Sequence, residues 1–99
     1  MNKDRRSRLV KLAEQFETGL IEADDLKGEL ESIREEEDEY RENMPENMQQ
    51  SERYYTSEEA SDNINSAIDA IDDLSDIEDA EELEDKKETI TSSIRDAAA

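Results

Sequence analysis

The groups in this chain with the capacity for chemistry are carboxylates, and they come in runs. Glu35, Glu36, Glu37, Asp38 and Glu39 are consecutive, and Asp69, Asp72, Asp73, Asp76, Glu78 and Asp79 follow at short steps. Three chemistries use such groups: acid pairs that cleave glycosides, oxygen cages that hold calcium, and anionic rows that stand in for phosphates. A glycosidase pair needs a cleft that shifts one carboxyl from its ordinary pKa, and a thin helical protein offers little of one. A calcium loop needs oxygens at alternating positions and a glycine at its sixth, and the second run contains no glycine. Phosphate mimicry requires only that the acids be held at fixed spacing. On a helix, carboxylates at i, i+3 and i+4 stand about 5 to 6 Å apart, near the step between phosphates on one strand. Glu35, Glu36, Asp38, Glu39, Asp69, Asp72, Asp73 and Asp76 are therefore read as partner-binding residues. No catalytic residue, metal or cofactor is expected.

Composition sharpens that reading. Thirty-one acids against 12 bases leave a formal charge of −19 on 99 residues, and there is no histidine and no cysteine. Disulfides, thiolate nucleophiles and imidazole ligands are excluded together. The two glycines, Gly19 and Gly28, make no phosphate-binding loop. So negative a chain is a poor binder of nucleic acid in its own right, since phosphate contacts demand positive charge. The partner expected is a basic nucleic-acid-binding protein, with neither nucleic acid nor membrane bound directly. No apolar run is long enough for a signal peptide or a membrane span, which makes the cytoplasm the default compartment.

These acids need a scaffold to hold them. With 32% apolar and 43% charged residues the composition borders on that of a disordered chain, but the apolar residues keep a period. Leu9, Leu12, Phe16, Ala23, Leu26, Leu30, Ile33, Tyr40 and Met44 step by three and four, with gaps at Gly19 and Glu37, as in a heptad seam. Glu37 falls on that seam, where burial would be costly. The spacing predicts a first helical arm over about 4–43. Gly19 either lies within it or breaks it into a short and a long helix, with Asp24 as a cap. Pro45 closes the arm and opens a loop over about 43–52. Ser51, or Thr56 with Glu59, offers the next cap. A second arm over about 53–76 carries Ala60, Ile64, Ala67, Ile68, Ile71 and Leu74 on one face. Leu83, Ile90 and Ile94 are out of phase with that face, so a bend is expected between Ser75 and Glu82 and a last helix over about 79–97. That helix either folds back as a third member or projects toward another subunit. The expectation is a single all-α domain, an antiparallel helical hairpin forming a coiled-coil-like bundle of two or three helices, with a homodimer open as an alternative. Lys3, Arg5, Arg6, Arg8 and Lys11 make the amino end basic, and they are expected to pack on an acidic helix of the same chain or of a second copy.

Two segments resemble known families. LVKLAEQFETGLIEADDLKGELESI is similar, through Leu12, Gly19, Ile21 and Leu26, to the short helix-turn-helix module called SHOCT. ENMPENMQQSERY, Glu42 to Tyr54, with the following SEEASDNINSAIDAIDDL, resembles a group of mostly uncharacterised short acidic proteins of phages and prophages. The second resemblance implies a viral or mobile-element origin and hence action inside a host cell. In overall character the chain is also similar to the DNA-mimic inhibitors that phages direct against restriction enzymes, CRISPR nucleases and repair helicases. The function expected is a phage-type inhibitor that blocks a host nucleic-acid-binding enzyme by acidic mimicry. The alternative is a helical scaffold or oligomerisation protein that meets its partner through the apolar seam, at Leu26, Leu30, Ile33, Ile64, Ile71 or Leu74.

Overall fold

The computed structural model describes all residues, Met1–Ala99, and is entirely helical. Four helices, α1 (Lys3–Glu17), α2 (Ala23–Glu42), α3 (Glu52–Asp73) and α4 (Ala80–Ala98), replace the two or three expected. The additional one arises at Gly19. There the backbone takes φ = +75°, a conformation open to glycine and strained for other residues. The Leu20 N–H donates to the Gln15 carbonyl at 2.8 Å and the Gly19 N–H to that of Phe16 at 3.3 Å, the paired bonds of a Schellman ending. The chain reverses there, so the seam from Leu9 to Met44 is two antiparallel helices and not one continuous coiled-coil strand. Asp24 is not the cap of α2: Glu22 holds that position without a side-chain bond, and Asp24 and Asp25 instead sit in the first turn, where their charge suits the helix dipole.

The other boundaries follow local chemistry. Asn2 accepts from the Arg5 N–H, Ser51 from the Tyr54 N–H, and Asp79 from those of Glu81 and Glu82, so α1, α3 and α4 each start on a side-chain cap. Asn43 ends α2 two residues before Pro45, and a 3₁₀ turn (Glu46–Met48) leads to α3. A second 3₁₀ turn (Leu74–Asp76) and the extended Ile77 make the bend between α3 and α4. That bend accounts for the phase change at Leu83, Ile90 and Ile94.

The helices run up, down, up and down in a rod 49 × 21 × 19 Å. α3 packs on both α2 and α4, α1 packs on α4, and α1 meets α2 over a shorter stretch. Thus α4 folds back into the bundle between α1 and α3. One cluster forms the core: Leu9, Leu12 and Ala13 from α1, Leu26, Leu30 and Ile33 from α2, Ile64, Ala67, Ile68, Ala70 and Ile71 from α3, and Ile90, Ile94 and Ala97 from α4. Each fully buried Leu or Ile contributes roughly 1.5–3 kcal/mol relative to exposure. Leu26, Leu30, Ile33, Ile64 and Ile71, named as a partner seam, lie in this core, and Leu74 packs half-buried against it.

Candidate protein-binding surface

The polar interior sits at the end of the rod where α1 begins, α2 finishes and α3 starts. Glu37 is fully buried there, at the gap that interrupts the apolar seam of α2. Its carboxylate accepts from Arg5 Nε at 2.8 Å and from the Ser57 hydroxyl, with the Met1 ammonium 3.5 Å away. The Arg5 guanidinium also lies over the Tyr40 ring, 5.6 Å from its centre. Beside it, Arg41 donates to the Ser57 carbonyl at 2.9 Å, to Ser61 Oγ at 2.8 Å and to Asp38, while Ser61 Oγ donates to Asp38 at 2.8 Å. No buried side-chain nitrogen or oxygen is left unbonded.

Further along α2, Lys27, Arg34 and Arg41 recur every seven residues and point into the α2–α3 seam. Lys27 meets Asp72 at 2.7 Å and Arg34 meets Asn65 at 2.8 Å. On the α1 side, Arg8 grips Glu36 with two bonds of 2.7 and 2.8 Å. The hydrogen bond from Arg8, with its nearby charge, holds the Glu36 carboxyl below the ordinary value. Asp72 in turn raises the Lys27 ammonium. α4 is tied to α3 by Lys86 with Asp73 at 3.6 Å, and to α1 by Arg95 with Glu17, where the hydrogen bond from Arg95 lowers the Glu17 carboxyl.

The eight acids proposed from sequence as contacts therefore divide. Glu36, Asp38, Asp72 and Asp73 are each bridged to a cation of the chain itself, and Glu35, Glu39, Asp69 and Asp76 are exposed with no cation within 4.0 Å. Glu35 and Glu39 are one turn apart on the outer face of α2. Asp69 belongs to an outer row on α3 in which Glu58, Glu59, Asp62, Ser66, Asp69 and Asp73 are all exposed, opposite Ala60, Ile64, Ala67 and Ile71. Glu58, Glu59 and Asp62 were not among the proposed contacts; the three-to-four-residue step of this row was the signal that marks them. Across the molecule, eight of the 31 side-chain carboxylates are ion-paired, leaving 23 without a cation.

The basic amino end is split as well. Arg5 and Arg8 pack on α2 of the same chain, whereas Lys3, Arg6 and Lys11 are exposed on α1 without acidic partners. In the loop, Met44 is buried and Met48 half-buried; in the first turn of α3, Tyr54 is half-buried and Arg53 is exposed and makes no ion pair with Glu46 or Glu52. No group of three acids converges to hold a metal ion, and no helix is long and apolar enough to cross a membrane. Compared with known proteins, the chain matches no family model, no curated protein and no solved structure.

Proposed function

We propose that this protein is a non-enzymatic inhibitor that occupies the cationic groove of a nucleic-acid-binding protein, presenting carboxylates where that groove normally meets phosphates. The observation that carries this reading is that Glu58, Glu59, Asp62 and Asp69 of the outer α3 row, with Glu35 and Glu39 of α2, have no cation partner, on a rod whose 21 × 19 Å cross-section is comparable to that of a nucleic-acid duplex. Along one helix a rise of about 1.5 Å per residue puts acids four apart at about 6 Å and acids seven apart at about 10 Å. Axes of neighbouring helices lie about 8–10 Å apart, so α2 and α3 each add an anionic outer face, separated by the Lys27, Arg34 and Arg41 row of the seam between them. Internal packing fixes the helices, which removes the entropy a flexible acidic tail would lose on binding. The target class that fits an anionic rod of this kind is an enzyme that handles nucleic acid, such as a defence nuclease.

The test is competition. Proteins retained from host lysate at low salt and released by a salt ramp are purified, and their binding to labelled DNA or RNA is measured with and without this chain. Inhibition should weaken by about tenfold or more between roughly 50 and 300 mM salt. It should also disappear in a variant combining Glu35→Lys, Glu39→Lys, Asp62→Lys and Asp69→Lys. Inhibition that survives both high salt and these reversals would overturn the reading.

A further inference from the structure

Of the four seams between adjacent helices, the one between α1 and α2 is packed over the shortest stretch. A trough of about 570 Å³ runs along it, walled by Arg8, Lys11 and Gln15 of α1 and by Asp24, Asp25 and Glu29 of α2, over Leu12, Ile21 and Gly28. At the turn that ends this seam, Leu20 is 78% exposed, the most exposed large apolar side chain of the protein. Gly28 lies six residues into α2 and has nothing of the chain within 4 Å of where a Cβ would stand. Neither internal packing nor backbone conformation calls for glycine there, and glycine in a helix interior lowers stability relative to alanine. What a missing side chain does provide is a low wall, over which another backbone can approach closely.

We infer that the α1–α2 trough receives an amphipathic helix of the cationic partner, packed across Gly28. Its apolar side chains rest on Leu12, Ile21 and Leu20, and its basic edge faces Asp24, Asp25 and Glu29. Charge decides between candidate occupants. The three acids of the α2 wall have no cation partner, and the whole chain carries −19. A second copy would bring another −19 against them, whereas a basic helix is drawn to both wall and molecule. Lys11 on the opposite wall orients the occupant, since a basic side chain on that edge would meet like charge. This inference rests on the proposed cationic partner and adds where one of its elements is held: the outer rows of α2 and α3 supply attraction, and the trough supplies register.

The probe is a 14-residue synthetic peptide of leucine and lysine that is amphipathic as a helix, titrated into the isotopically labelled protein and followed by amide NMR shifts. An all-lysine peptide of equal charge and a leucine–glutamate peptide serve as controls. The largest shifts are expected at Leu12, Gln15, Ile21 and Gly28 with the leucine–lysine peptide and not with the all-lysine one. Gly28→Trp, which fills the trough, should weaken the affinity about tenfold, a loss of about 1.4 kcal/mol. Gly28→Ala, which raises the wall by one methyl group, should weaken binding by less than Gly28→Trp does, and Asp25→Lys should weaken binding with the fold unchanged by circular dichroism. Equal shifts from both cationic peptides along Glu58, Asp62 and Asp69, unaffected by Gly28→Trp, would overturn the trough while leaving the proposed function standing. Failure of any cationic peptide to bind at low salt would remove both. Self-association abolished by Gly28→Trp would assign the trough to a second copy and overturn the inference.

Discussion

Glu37 is the residue at which three helices converge, and its energetics are those of a buried charge. Transfer of a carboxylate from water is tolerated because Arg5, Ser57 and the Met1 ammonium surround it. Glu37→Ala leaves the Arg5 guanidinium buried without its partner, and should destabilise the fold by roughly 3–5 kcal/mol in urea denaturation. Replacing both members of the pair, by Arg5→Met with Glu37→Leu, should restore part of that loss, because the guanidinium is removed with the carboxylate while the Met1 ammonium and the Ser57 hydroxyl still lose their acceptor. If the double variant is as unstable as the single one, the pair does more than cancel its own desolvation. Glu36 shows the half-exposed counterpart. Its pKa in the folded protein is depressed from 4.5 by the hydrogen bond of Arg8. A depressed carboxyl contributes stability that is complete above its unfolded pKa and is lost as pH falls through its folded one. Wild type should therefore lose more stability than Glu36→Gln between about pH 5 and about pH 3, measured as the shift in urea midpoint. Solvent screening keeps that difference small, since 40% of the Glu36 side chain is accessible.

The two glycines of the helical elements have opposite roles, which substitution separates. Gly19 ends α1 in a left-handed conformation, so Gly19→Ala should destabilise by about 1–2 kcal/mol. Gly28 is in helical conformation with open space around it, so Gly28→Ala should stabilise by about 0.5–1 kcal/mol. Thermal melts of the two variants should move in opposite directions; movement in the same direction would contradict either the positive φ at Gly19 or the open space at Gly28. Elements of this kind are legible in the sequence because their causes are local. The steps of Leu26, Leu30 and Ile33, the cap at Ser51, the stop at Pro45 and the bend near Ser75 all depend on residues within a turn or two of each other. Gly19 was legible as a candidate break, but the choice between one continuous arm and a turn depends on whether α1 has a partner, and Ile90 and Ile94 supply it from the far end of the chain. The surface was harder for the same reason. The partners that divide the proposed acids are remote: Arg8 is 28 residues from Glu36, and Lys27 is 45 from Asp72. Period places an acid on a face of its helix. Only tertiary pairing says whether a cation of the chain already covers it.

At the scale of the whole molecule, the same unpaired acids oppose folding and favour partner binding, so salt acts on the two processes with opposite sign. With 23 of 31 carboxylates lacking a cation, repulsion among exposed like charges exceeds the attraction of the few surface pairs, each worth about 0–1 kcal/mol. The Debye length shrinks from about 30 Å at 0.01 M to about 10 Å at 0.1 M and about 3 Å at 1 M salt. At the lowest of these concentrations much of the 49 Å rod repels itself, and at the highest only neighbouring charges interact. Sodium chloride should therefore raise the melting temperature steadily over this range, with most of the gain between about 0.01 and 0.1 M. Adding a monovalent salt of a weakly interacting cation such as tetramethylammonium should give a similar gain, because screening depends on ionic strength and not on occupancy of a site. A gain restricted to divalent cations, saturating at low concentration, would instead mean that some of these acids form a true ion-binding site. The same additions that stabilise the free protein should weaken its grip on a cationic partner, as attraction across an interface is screened alongside repulsion within the rod. A melting temperature that falls with salt would mean that the surface ion pairs outweigh the repulsion within the rod.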